Sequence, residues 1–304
     1  MISIIPVTIS MNITVFLKTS FYTACLALTQ LQAQTIDFAA LELKGGRQSS
    51  SSCVLLDNKG TIATVVELGS DVNKATLVVG EKKVPLTFVT NDGDSRVAIY
   101  QLPKDSMEVI KEISATGTST KLSPGGAVYT SATDRNSSVR VVSKVYRFQG
   151  KVLPLAVLRL NHGKAAPQAG SGIYDTEGKL VGLVRQSVFN APESSYCLPI
   201  EVVQRIRADK ERNGSVGRCW IGIVMDELIA APIVESVRPD SPAKKAGLKN
   251  GDVILSIGDV AVRKYAEVVD AFYYLIAGEQ KKFRVLRGTE TKEFTITPEI
   301  SPGS

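Results

Sequence analysis

The sequence predicts a mainly β protein: two successive strand-rich barrels followed by a small α+β unit. Three observations predict it. Residues 50–186 carry short runs rich in Val, Ile, Leu and Thr, cut at close intervals by turn-forming clusters. The linker "LPKDSMEVIKEISATGTSTKLSPGG" divides those runs into two sets. Beyond residue 214 strands alternate with two helical patterns bounded by capping residues, which marks a separate unit.

The segment "MNITVFLKTSFYTACLALTQLQAQT" opens the reading. Lys18 precedes an apolar run that ends in small residues at Ala33, a signal-peptide pattern with Met11 as a start. Export to a periplasmic or extracellular space is therefore expected, without a lipid anchor at Cys25, because "YTAC" is a poor processing site. The expected division is 1–33 signal peptide, 34–210 double barrel and 211–300 C-terminal unit.

The first strand set is "SCVLLD", "GTIATVV", "ATLVV", "VPLTFVT" and "RVAIYQL". The second is "AVYTSA", "SVRVVSKVYRF", "LAVLRL" and "KLVGLVRQ". Turns fall at "DNKG", "NDGD", "SPGG" and "TEGK". Next, "LPIEVVQRIRADKERNG" places Ile200, Val203 and Ile206 on one face of a helix that stops at Gly214. In the C-terminal unit, "SPAKKAG" reads as a short helix with Ser241 as N-cap, Pro242 at its first position and Gly247 as its stop. "YAEVVDAFYYLIAG" reads as a longer helix ended by Gly278.

Composition narrows function. A net charge of +6 is spread over interspersed Lys, Arg, Asp and Glu, with no basic block, so nucleic acid is not an expected partner. With one histidine and no zinc-like cysteine spacing, no metal or cofactor is expected. Cys53 and Cys197 lie in apolar runs and read as small buried side chains. Together with Cys219 they make an odd number that leaves room for at most one disulfide.

The C-terminal stretch "PDSPAKKAGLKNGDVILSIGDVAV" resembles the core of a PDZ domain, and "CWIGI" resembles the loop that receives a peptide carboxylate in that family. A tight turn at Gly222, between Ile221 and Ile223, would leave N–H groups to meet the carboxylate. The strand from Ile223 would accept an extended peptide, and Val268 and Phe272, four apart, would wall a pocket for its last side chain. The same four apolar residues also suit a plain core.

The strand-rich unit resembles the HtrA/Deg family of trypsin-like serine proteases. "SSCVLLDNKGTIATVVEL", "GDSRVAIYQL", "GSGIYDTEGKLVGL" and "SYCLPIEVVQRI" match that family's segments in order. The resemblance implies a chymotrypsin-like double barrel. It puts the family's catalytic His at Glu67, its Asp at Arg96 and its Ser at Ala169. A hydroxyl, an imidazole and an orienting carboxylate are all missing from those positions. Two residues before Ala169, where an oxyanion-hole N–H is needed, stands Pro167, which has none. A two-residue shift would make Ser171 the nucleophile, but His162, a turn or surface residue on this reading, lies in the wrong barrel to serve it. Glu67 and Arg96 are expected to form an ion pair in place of the catalytic dyad, or else to be two unrelated solvated charges.

These readings imply an exported, non-catalytic HtrA-like scaffold or regulator that binds peptide C-termini or unfolded envelope proteins. Its partners would include an active relative, and a homotrimer is the family's usual assembly, with Phe38 the sole aromatic near the N-terminal segment. The alternatives are an active serine endopeptidase built on Ser171 and a structural assembly subunit. The sequons at Asn136 and Asn213 matter only in a glycosylating host.

Overall fold

The computed structural model describes residues 37–43, 48–109, 113–131 and 138–301. The signal-peptide reading and the sequon at Asn136 lie outside them. Six antiparallel strands close the first barrel: β1 (Asp37–Leu43), β2 (Gln48–Leu55), β3 (Thr61–Val65), β4 (Ser70–Val79), β5 (Lys82–Asn91) and β6 (Val97–Gln101), in the order β1-β2-β3-β6-β5-β4. The second barrel closes β7 (Ala127–Tyr129), β8 (Ser138–Phe148), β9 (Lys151–Asn161), β10 (Gly172–Tyr174), β11 (Leu180–Val188) and β12 (Ala191–Pro199) in the order β10-β11-β12-β9-β8-β7. Closure leaves neither sheet with a long open edge.

The pleat decides which side chains go inside. Val139 and Val141 are buried while Ser138 and Arg140 face water; Val84 and Leu86 alternate with Lys83 and Pro85 in the same way. Turn chemistry fixes the registers. Asp57 Oδ1 accepts the N–H groups of Lys59 and Thr61, both at 3.1 Å. Asp175 Oδ1 accepts those of Glu177 and Lys179 at 2.8 and 2.9 Å. Each barrel has its own core, around Ile62, Leu77 and Tyr100 in the first and Val128, Leu160 and Ile173 in the second. A third cluster joins them, with Val65, Val97 and Ile99 from one barrel and Leu180, Leu183 and Leu198 from the other.

Helix α1 (Ile200–Asn213) lays Ile200, Val202, Val203 and Ile206 onto that joining cluster and stops where Gly214 takes φ +74°. The C-terminal unit contains β13 (Cys219–Trp220), β14 (Ile223–Met225), β15 (Val234–Val237), β16 (Val253–Ile257), β17 (Val260–Ala261), β18 (Lys281–Arg287), β19 (Glu290–Ile296) and β20 (Glu299–Ile300). Four of these form a sheet in the order β17-β16-β18-β19; β13 pairs with β20 and β14 with β15. Helix α2 (Pro242–Ala246) is capped as the sequence predicts: Ser241 Oγ accepts the Lys244 N–H, and Gly247 ends it at φ +95°.

Helix α3 (Tyr265–Tyr273) ends earlier than the expected Gly278. Its last turn tightens, with Leu275 N–H donating to Phe272 O. The Leu275 carbonyl then accepts the Cys219 thiol at 3.1 Å, and the Gly278 N–H donates to Pro298 O. These outside partners draw residues 274–278 off the helical path. No disulfide links Cys53, Cys197 and Cys219 to one another. Burial raises the Cys197 thiol strongly and pushes Cys219 up to about 11, so both stay protonated and unreactive at neutral pH.

The C-terminal unit is bolted to the second barrel through α3, which packs along β9. Asp270, almost fully buried, accepts the Ala156 N–H and the Lys144 ammonium, both at 2.8 Å. Tyr273 reaches the first barrel and donates to Asp92 Oδ2 at 2.9 Å. Among the described residues no helix is long and apolar enough to cross a membrane.

Replacing Asp270 by Ala leaves the buried Ala156 N–H without an acceptor, which costs about 1–3 kcal/mol. Urea denaturation is expected to show that loss in Asp270→Ala and a smaller one in Asp270→Asn, which keeps an acceptor oxygen.

Candidate functional site

Two regions answer to the sequence-predicted residues: the seam between the barrels and the edge of β14. The seam is built by backbone bonds. Asp92 Oδ2 accepts the Ser95 N–H and hydroxyl at 2.8 and 2.7 Å, folding residues 92–96 into a tight turn. Arg96 closes that turn at φ +65°, with its N–H on Asp92 O and its carbonyl accepting the Val66 N–H at 2.9 Å. Residues 67 and 96 are thus brought to one place.

Their side chains do not pair. Glu67 is exposed, and no ion pair within 4.0 Å joins it to Arg96. The Arg96 guanidinium instead donates to Gln186 Oε1 at 2.7 Å, across the seam. Burial lowers the Arg96 pKa while the charge of Glu67, acting from further away, opposes that shift. The expected direct pair is therefore corrected: an exposed carboxylate keeps its hydration, and forming a surface pair gains at most about 1 kcal/mol.

Ala169 sits on the same seam, packed against the joining cluster, with its carbonyl accepting the Ser52 N–H at 2.8 Å. Ser52 in turn accepts the Thr64 hydroxyl at 2.6 Å, and Ser51 shares a 3.0 Å bond with Thr64. Next to Ala169, Gly170 has φ +86°, and an added Cβ would lie 1.8 Å from Ser52 O. The bends in this loop hold it flat against the first barrel. Ser171 is turned inward and buried; its N–H donates to Gln168 O and its carbonyl accepts from Val184.

His162 is not the surface residue the sequence suggests. It is buried at the end of β9, its Nε2 2.8 Å from Ser195 Oγ, while Nδ1 is buried without a partner. It borders a cavity of about 80 Å³ lined by Thr130, Val139, Lys164, Ala165 and Pro167. No bond joins it to Ser171. The flanking polar residues in "RLNHGK" masked the inward direction that β9's alternation gives this position. None of the side chains of Glu67, Arg96 and Ala169 carries a hydroxyl or an imidazole.

The second region gathers all five C-terminal candidates. Gly222 has φ +80°, and a Cβ there would fall 2.2 Å from Ser241 Cβ. Its carbonyl accepts the Arg238 N–H, and the Ile221 carbonyl accepts the Ala243 N–H, both within 3.0 Å. The loop is therefore fixed against the start of α2. Ile221 and Val268 are core residues, while Ile223 and Phe272 are half-buried at the border of the same cluster. The first pair is plain core, and the second lies where a pocket wall was expected. Strand β14 pairs only with β15 among the described strands, so its other edge is left without a strand partner.

Sequence reasoning missed the buried polar residues that connect these regions. Arg205 lies on Asp92 and Asp209, both at 3.5 Å, and stacks over the Tyr273 ring 5.0 Å from its centre. The four-residue spacing of Arg205 and Asp209 was the available signal, but such pairs are most often solvated.

Gly170→Ala introduces both a left-handed side chain and a backbone clash, so it is expected to cost about 3 kcal/mol or more by denaturant melting. Gly125→Ala, at φ +85° with nothing within 4 Å, is expected to cost about 1–2 kcal/mol. Burial also holds His162 below its ordinary 6.5. Its neutral form is favoured in the fold, so the unfolded chain binds the proton more readily. Stability is then expected to fall as pH drops below about 6.5, and His162→Gln is expected to flatten that part of a pH-dependent melting curve.

Residues 219–297 match the family model for the PDZ domain. Among curated proteins, a probable periplasmic serine endoprotease DegP-like from Marinomonas sp. (strain MWYL1) is 22% identical over 281 residues, covering 85% of this chain and 59% of its own length. The protein of the same name from Pseudomonas putida (strain W619) is 22% identical over 271 residues, 82% of this chain and 56% of its own. The chain thus spans less than two thirds of these relatives. Among solved structures, the HtrA-type protease AlgW with tripeptide superposes with TM-score 0.64 at 17% identity, covering 91% of this chain and 98% of that one. The serine endoprotease from Yersinia pestis gives TM-score 0.57 at 19% identity, covering 89% and 96%. Residues 219–297 therefore form a PDZ domain, and the chain as a whole has the trypsin-like double barrel and PDZ fold of HtrA-type proteases.

Proposed function

We propose that this protein is an exported, non-catalytic HtrA-like protein that captures peptide C-termini in its PDZ groove. The observation that carries the reading is the loop at Gly222. Its positive φ and its contact with Ser241 hold the turn at the end of an unpaired strand edge, beside the half-buried Ile223 and Phe272. A terminal carboxylate would meet the backbone of residues 221–223 while the preceding residues extend β14. A likeness to an HtrA-type protease held with peptide supports the binding role. The periplasmic naming of the curated relatives supports export to that compartment.

The non-catalytic part rests on Ala169. Its carbonyl bond to Ser52 and its place against the joining cluster put it at the seam, whereas Ser171 faces inward with its backbone used by Gln168 and Val184. Acyl transfer needs a nucleophile with a base in hydrogen-bond reach. The protein would then act as a scaffold or regulator, with unfolded envelope proteins or an active relative as partners.

Two measurements test this. A fluorophosphonate probe is expected to leave the protein unlabelled; labelling that disappears in Ser171→Ala would overturn the non-catalytic reading in favour of a serine endopeptidase. A library of peptides with free C-termini is expected to yield binders that lose at least tenfold in affinity when amidated and in Gly222→Ala. Absence of binders would favour a structural assembly subunit.

A further inference from the structure

Arg96 and Arg185 reach the seam from opposite barrels, held by reciprocal ties and near enough for their charges to repel. Arg96, from the first barrel, donates to the Gln186 side chain on β11 at 2.7 Å. Arg185, the neighbour of Gln186, donates to the Asp94 carbonyl, two residues before Arg96, at 3.3 Å. Both side chains are half-buried, and each guanidinium makes this one hydrogen bond, to a neutral oxygen, among the described residues. Both Nε atoms are buried without a partner. No carboxylate oxygen of the described residues lies within 4.0 Å of either guanidinium.

The nearby acids are engaged or too far away. The Asp94 carboxylate is gripped by Arg218 through two hydrogen bonds. The Asp92 carboxylate serves Ser95, Tyr273 and Arg205. Glu67 is exposed and contacts neither arginine. Two like charges are therefore held near one another in a partly desolvated seam, with Glu67 and Asp94 acting only from a distance and no carboxylate in contact with either. Burial lowers both pKa values, and the charge of Arg96 lowers that of Arg185 further, although Asp94 opposes it. Such an arrangement lacks an anion, and paired guanidiniums match a carboxylate's two oxygens.

The surroundings select among anions. Beyond Leu183, β11 is no longer covered by β10. Its residues Gln186, Ser187 and Val188 pair with β12 alone. An extended chain has room to lie along that edge, with a side chain directed at the arginines. We propose that Arg96 and Arg185 form a carboxylate-binding site between the two barrels, filled by an Asp or Glu side chain of a bound polypeptide. The site lies apart from the PDZ groove and gives the barrel unit its own preference for acidic segments.

The test uses the full chain and an acetylated, amidated hexapeptide with two glutamates, whose blocked ends remove the carboxylate that the PDZ groove needs. Isothermal titration is expected to show binding at least tenfold tighter than that of the glutamine counterpart, weakening between 50 mM and 500 mM salt. Arg96→Gln and Arg185→Gln are each expected to lose at least fivefold, with melting temperature as the check on folding. Arg96→Lys, which keeps the charge but not the fork, is expected to lose less. Equal affinity for the two peptides, or affinity unchanged in all three variants, overturns the proposal. So does binding seen only in Glu67→Gln, which would make Glu67 the occupant, or binding of inorganic phosphate without the peptide. Loss of free-C-terminus binding with retained glutamate-peptide binding would count against the PDZ reading alone.

Discussion

The carboxylate of Asp92 is the point where the first barrel, the connecting helix and the PDZ domain meet. One oxygen takes the Ser95 N–H and hydroxyl and the Tyr273 phenol, and the other faces Arg205. Ser95 belongs to the first barrel, Arg205 to the connecting helix and Tyr273 to the PDZ helix. Arg205 passes the tie onward to Asp209, which accepts the Gly217 N–H at 2.9 Å and so fixes where the chain enters the PDZ domain. Charges buried this deeply hold only as a set, since an ion left without its partner inside protein costs about 3–5 kcal/mol. The turn that presents Arg96 is a by-product of the same carboxylate.

Helix α3 shows how one short element serves two purposes. Val268 belongs to the PDZ core and Phe272 borders it, at the wall of the proposed groove, whereas Asp270 and Tyr273 enter the barrels. The helical wall of the proposed groove is therefore set by bonds outside the PDZ domain. Its position relative to β14 is determined by the whole assembly of barrel, helix and sheet, not by the PDZ core alone.

Much of this was legible in the sequence because it depends on local rules. Alternating apolar residues gave the strands, and Asp57, Asp175 and Ser241 act in their turns and cap through side-chain oxygens read from neighbouring positions. Gly222 was legible because its loop has a characteristic residue order. What escaped were polar residues whose partners lie far along the chain. Asp92 and Tyr273 are 181 positions apart, and Lys144 and Asp270 are 126. A charge in an amphipathic pattern looks the same whether it meets water or a distant partner. The Glu67–Arg96 pair failed for a related reason: the backbone brought the two positions together, but Gln186 on the other barrel offered Arg96 an acceptor.

The loop from Ala169 to Gly172 separates two kinds of constraint that a motif blends together. Gly170 lies against the Ser52 carbonyl, and Gly172 has Tyr174 packed where a side chain would go. Any chain that closes these barrels must keep them small, whatever it does for a living. Position 169 carries no such demand, because its side chain lies at the margin of a cluster that accepts a methyl group. Under selection for folding alone, drift would spare the glycines and spend itself on the residue between them and the seam. The two glycines of this Gly–Ser–Gly run thus answer to barrel geometry, whether or not the barrels carry out any chemistry.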